Sequence, residues 1–82
     1  MIKVLFFAKL RDQLGISELQ LEWKNNLDIA SLLNNLQQRG GCWSSALADN
    51  KLMVAVNQTI ITSNSSLQDG DEVAFFPPVT GG

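Results

Sequence analysis

Apolar residues change their period several times along the chain, and each change marks an element. Ile2 to Phe7 is β-branched and aromatic almost throughout, which predicts a strand. Ile2, Val4 and Phe6 share one face of it, and Lys3, Leu5 and Phe7 share the other. Leu10 and Leu14 stand four apart before Gly15, which predicts a short helix over Lys9 to Leu14 with a glycine cap. From Ile16 to Trp23 the period falls to two: Leu19, Leu21 and Trp23 alternate with Glu18, Gln20 and Glu22. That predicts a half-buried strand antiparallel to the first. Asp28 then caps a helix whose apolar residues Ile29, Leu32, Leu33 and Leu36 form one stripe, with Gly40-Gly41 at its end. Cys42 to Leu47 has no clear period, and a short helix tucked under the sheet is one reading of it. Leu52 to Val56 is a strand, Asn57-Gln58 a tight turn without glycine, and Thr59 to Thr62 the return strand. Asp69-Gly70 centres a turn between Leu67 and Asp71, and Glu72 to Phe76 is the last strand.

One main helix can cover only one face of a sheet, so this order predicts a two-layer α+β domain with a mixed sheet of about five strands. Phe6 and Phe7 must then point to opposite faces, and so must Phe75 and Phe76. Parity with Lys3 and Glu72 nominates Phe7 and Phe76 as the outward pair. Two outward aromatics on neighbouring strands make a partner patch. The alternative is that a loop or the Cys42 segment lies over them.

Composition removes several classes of function. Eighty-two residues form one domain. A chain of that size buries roughly 60% of its unfolded surface, too little for a deep catalytic cavity. The net charge is −2, from 6 basic and 8 acidic residues, and no basic run offers a nucleic-acid surface. Histidine and tyrosine are absent, so neither a Ser-His nor a Cys-His pair can be built. Asp69 and Asp71 flank a turn glycine without further oxygen ligands, so no metal is expected. The single cysteine, Cys42, reads as packing or chance and suits a reducing cytoplasm. The apolar run Val4 to Ala8 is too short for a leader or a membrane span. A chain so poor in catalytic side chains is expected to present a group to a partner.

The group it presents is at its end. Residues 1–76 read as the domain and residues 77–82, Pro77-Pro78-Val79-Thr80-Gly81-Gly82, as an extended tail. Pro77 and Pro78 lack N–H donors, so the sheet cannot continue through them. Six residues reach roughly 20 Å, enough to thread a partner's channel. Gly81 and Gly82 carry no side chains and can pass a constriction. The terminal carboxylate is a poor electrophile until it is adenylated. Attack by sulfide or persulfide on the adenylate yields a thiocarboxylate, and attack by a lysine yields an isopeptide.

The chain resembles the small, sulfur-carrying subunits of molybdopterin synthase, a family of ubiquitin-like β-grasp proteins. The resemblance is carried by Ile2-Lys3-Val4-Leu5-Phe6-Phe7-Ala8, by Ala55-Val56-Asn57-Gln58 and above all by residues 67–82, from Leu67-Gln68-Asp69-Gly70-Asp71 to Gly81-Gly82. It implies that Gly82 is adenylated by an ATP-consuming activating enzyme and becomes a thiocarboxylate. It implies that the tail then enters the large synthase subunit and gives its sulfur to cyclic pyranopterin monophosphate, in a complex of two carriers on a dimer of large subunits. It also implies that Phe7, Ile60 and Phe76 contact the large subunit and the activating enzyme in turn, with no cofactor bound to the carrier itself. Three other readings stay open: a carrier for another pathway such as thiamine synthesis, a ubiquitin-like modifier of lysines, and an interaction domain whose Gly-Gly is incidental. The Phe75-Phe76-Pro77-Pro78 run argues against the first of these.

Overall fold

The computed structural model describes residues 1–48 and 52–77. The expectations for Pro78, Val79, Thr80, Gly81 and Gly82 lie outside the described residues. Five strands form one mixed sheet: β1 (Ile2–Phe6), β2 (Glu18–Leu21), β3 (Met53–Val56), β4 (Thr59–Ile61) and β5 (Glu72–Phe76), in the order β2-β1-β5-β3-β4. β5 fills the centre, parallel to β1 and antiparallel to β3. Its Val73 and Phe75 suit that central place, because β-branched and aromatic side chains pack well on a pleated surface covered by helices.

Three helices accompany the sheet: α1 (Lys9–Leu14), α2 (Ile29–Gln37) and α3 (Cys42–Ala46). α2 starts where the Asp28 side chain accepts from the Ser31 N–H at 2.8 Å, the cap that the sequence predicts. Its Ile29, Leu32 and Leu36 are buried against Ile2, Val4, Phe6, Val73 and Phe75 from the sheet. Each of those five sheet residues is at most 1% exposed, so the core lies on one face only. Gly15 takes the left-handed conformation at φ 73 and closes α1 as expected. The Cys42 segment is helical and packs beside α1 and α2. Trp43 meets Phe6 edge-on, with ring centroids 5.5 Å apart, so this segment lies on the inner face. It leaves Phe7 and Phe76 uncovered, which removes the alternative that it shields them.

Several boundaries differ from the sequence reading. β2 ends at Leu21 and not Trp23, whose indole Nε1 donates instead to the Leu67 carbonyl at 2.8 Å. α2 ends at Gln37, short of Gly40-Gly41, and Gln38 caps it in a right-handed conformation. β3 begins at Met53 and β4 stops at Ile61. β1 stops at Phe6, although the Phe7 N–H still donates to the Phe75 carbonyl at 3.2 Å. Ala8 then turns the chain away at φ 55.

Candidate docking face

Register assigns every sheet residue to a face. Ile2, Val4 and Phe6 are buried, so Lys3 and Leu5 point outward. β5 follows with Val73 and Phe75 inward and Glu72, Ala74 and Phe76 outward. Met53 and Ala55 pair with Phe76 and Ala74, and Ile60 pairs with Ala55, so these three are outward too.

The outer face therefore consists of cross-strand rows. One row runs Gln20, Lys3, Glu72 across β2, β1 and β5 and is polar. The next runs Glu18, Leu5, Ala74, Ala55, Ile60 across all five strands and is apolar from Leu5 onward. Continuing the β1–β5 register one step sets Phe7 beside Phe76, whose other neighbour is Met53. This third row is wholly apolar. Apolar character thus rises along the strands toward the end from which Pro77 leaves the sheet.

Ile60 is 55% exposed and Phe7 47% exposed. Phe76 is outward as parity requires but is half-buried, because it lies in the central strand with a large neighbour on each side. Ala55 and Ala74 form a flat floor between these larger side chains. At the polar border the Lys3 ammonium lies 3.7 Å from the Glu18 carboxylate. Such an exposed pair contributes little to stability but marks where the apolar area stops.

No catalytic constellation is present among the described residues, and no group of three or more His, Cys, Asp or Glu there could hold a metal. Cys42 is exposed, which removes packing as the reason for it and leaves chance. Asp71 serves the turn as expected, accepting from the Gln68 N–H at 2.8 Å. Asp69 pairs with the Met1 ammonium. Pro77 borders a concavity of about 160 Å³ on the helix side, with Lys9, Leu10, Gln13 and Leu52 around it. No helix is long and apolar enough to cross a membrane, among the described residues.

The sequence shows Asn57 only as a turn residue. Its side chain bridges the β3–β4 turn to the head of β5, with bonds to Asp71 and to the Glu72 N–H. An asparagine opening a two-residue turn that lacks glycine was the available signal.

The sequence profile of the ThiS family matches residues 4–82. The chain belongs to the ThiS family. It is 45% identical over 82 residues to a protein of Haemophilus influenzae named molybdopterin synthase sulfur carrier subunit, covering 100% of both chains. Among solved structures, the fold matches SAMP1 from Haloferax volcanii with a TM-score of 0.77 at 22% identity, over 99% of this chain and 98% of that one. That likeness is one of fold, and with it the five-stranded sheet is a ubiquitin-like α+β fold. A third match is a chain of the complex of subunits 1 and 2 of molybdopterin-converting factor from Helicobacter pylori. It has a TM-score of 0.69 and 28% identity, over 99% of this chain and 97% of that chain.

Proposed function

We propose that this ThiS-family chain is a sulfur carrier for molybdenum cofactor biosynthesis, with its C-terminal carboxylate as the working group. The observation that carries the reading is 45% identity along the whole length of a protein named molybdopterin synthase sulfur carrier subunit. The uncovered apolar end of the sheet supports it, because that is where the chain leaves toward the tail.

The chemistry follows from the carboxylate. A Gly82 carboxylate oxygen attacks the α-phosphate of ATP in an activating enzyme, and pyrophosphate leaves. A sulfur nucleophile from a donor protein attacks the resulting acyl-adenylate, and AMP leaves. Where that nucleophile is the terminal sulfur of a persulfide, a thiol then cleaves the S–S bond of the acyl disulfide. The donor leaves as a disulfide with that thiol, and the terminus remains as a thiocarboxylate. Its sulfur attacks cyclic pyranopterin monophosphate in the large synthase subunit, with departure of an oxygen leaving group. Water hydrolyses the thioester so formed and returns the Gly82 carboxylate, and two such transfers supply both dithiolene sulfurs. The carrier provides no acid or base in these steps. It provides a reach of roughly 20 Å through Pro77 to Gly82 and a face, Phe7, Ile60 and Phe76, that aims the tail. The large subunit is the expected partner at this face, as two carriers on a central dimer. The activating enzyme takes the same face in a separate complex, and the protein works in the cytoplasm.

The test is an intact mass of the chain after incubation with activating enzyme, ATP and a sulfur source. Exchange of one oxygen for sulfur is expected. An unchanged mass, with the activating enzyme proved competent, would falsify the carrier reading. Transfer to the pterin precursor in the presence of the large subunit then separates this pathway from thiamine synthesis. Isopeptide-linked conjugates in place of transfer would favour a modifier. Removal of Gly82 should abolish transfer and leave the melting temperature unchanged.

A further inference from the structure

Asn57 sits where the β3–β5 ladder should lose a rung. Pairing runs from Met53 with Phe76 to Val56 with Val73, and the next position sets Asn57 beside Glu72. Asn57 has already left the strand: its φ is 50 and that of Gln58 is 70, the left-handed pair of a tight hairpin turn. Asparagine tolerates that region, but its main-chain carbonyl no longer serves the ladder. The Asn57 N–H still donates to the Glu72 carbonyl at 2.8 Å. The return bond comes from the Glu72 N–H to the Asn57 Oδ1 at 3.0 Å, so the side chain takes the place of the carbonyl. Asn57 Nδ2 donates to Asp71 Oδ1 at 3.0 Å, and Asp71 Oδ2 accepts from the Gln68 N–H. The hairpin turn is thereby fastened to the head of β5.

That fastening matters for one outward side chain above the rest. β4 has three residues, lies at the sheet's edge and pairs only with β3. Ile60 is its middle residue and faces outward, 55% exposed. Ile61 beside it packs against the core, and the turn at Asn57 fastens the strand's other end.

We infer that Asn57 is a positioning residue, which ties the β3–β4 turn to β5 and so holds Ile60 in one docking face with Phe7 and Phe76. The inference rests on the docking role proposed above. It requires an amide opposite a carboxylate, and the reverse arrangement satisfies the same three side-chain bonds. A carboxylate at position 57 can accept from the Glu72 N–H and from an amide at position 71, whose oxygen can accept from the Gln68 N–H.

The experiment measures the dissociation constant for the large synthase subunit by calorimetry, and KM and kcat for sulfur transfer, with melting curves alongside. The variants are N57D, D71N, N57D/D71N, I60A and N57D/I60A. N57D brings two carboxylates together, and about ten-fold weaker binding is expected, with KM raised and kcat kept. The exchanged pair N57D/D71N restores binding to within about two-fold at unchanged net charge. N57D/I60A binds no more weakly than I60A alone, because the two changes remove one interaction. Wild-type binding by N57D beside weak binding by I60A would overturn the inference. So would a loss that persists in the exchanged pair, or losses that multiply in N57D/I60A. Wild-type binding by I60A overturns the docking role of Ile60 and this inference together, whereas a failed carrier reading shows in the mass assay. If N57D melts below the assay temperature, Asn57→Gly takes its place with the same expectation, since it keeps the turn and lacks the amide.

Discussion

Ala8 carries the sharpest local conflict between residue type and backbone. At φ 55 and ψ −128 it occupies a region natural to glycine, and it is the residue that swings the chain away from the sheet after Phe7. Holding a side chain there costs of order 1–3 kcal/mol. Ala8→Gly should therefore raise stability by about 1 kcal/mol net of the added freedom of the unfolded chain, read from denaturant midpoints. Asp28 works the other way, as a residue well matched to its place. Its carboxyl is held below the ordinary carboxylate range, chiefly through the backbone N–H of Ser31, then the Ser31 hydroxyl and the Asn64 amide. A depressed folded-state pKa stabilises the fold above the unfolded value and loses that effect as pH falls through the folded one. Asp28→Ala should lower the melting temperature by a few degrees at neutral pH. The gap to wild type should persist down to about pH 4 and narrow below it, which melts across an acid series will show.

At the scale of elements, α2 was the most legible part of the sequence and also the part most sensitive to truncation. Leu36 is fully buried within the core cluster, so Leu36→Ala should cost about 3 kcal/mol, measured by urea titration. The stripe Ile29, Leu32, Leu36 and the Asp28 cap were readable because period and capping chemistry agree. The hairpin, α1 and the inward and outward assignment of Phe6, Phe7, Phe75 and Phe76 were readable from parity in the same way. Strand order was not, because alternation says which face a residue takes and nothing about which strand lies beside it. Nothing in Glu72–Phe76 by itself puts β5 between β1 and β3. The end of α2 is not legible from Gly40-Gly41, because the helix stops at the polar residues before that pair. The bridging role of Asn57 was hidden for a related reason: its partners Asp71 and Glu72 are 14 and 15 residues away. Alternation alone places Trp23 in β2, whereas its indole bonds a loop carbonyl beyond the strand's end.

Across the whole molecule the two faces of the sheet divide the labour. One is covered by helices and holds the fold, and the other is uncovered and grades from polar to apolar toward Pro77. Substitutions on the second face should separate binding from folding. Ile60→Asp and Phe7→Asp should each weaken binding to the large subunit at least ten-fold, by isothermal titration, while changing stability by less than about 1 kcal/mol. The half-buried Phe76 should show both effects.

The central place of β5 also governs when the molecule can exist. β1, β2, α2, β3 and β4 all precede it in the chain, yet β1 and β3 have no contact ladder with each other and meet only through it. During synthesis the earlier elements can form no more than two separate hairpin halves, each with an open edge, until Phe76 has left the ribosome. Long-range pairing of this kind is slow to form. A product that stops before Glu72 lacks the middle of the docking face as well as the middle of the core. On the proposed carrier role, a partner that grips this face would discriminate against such fragments.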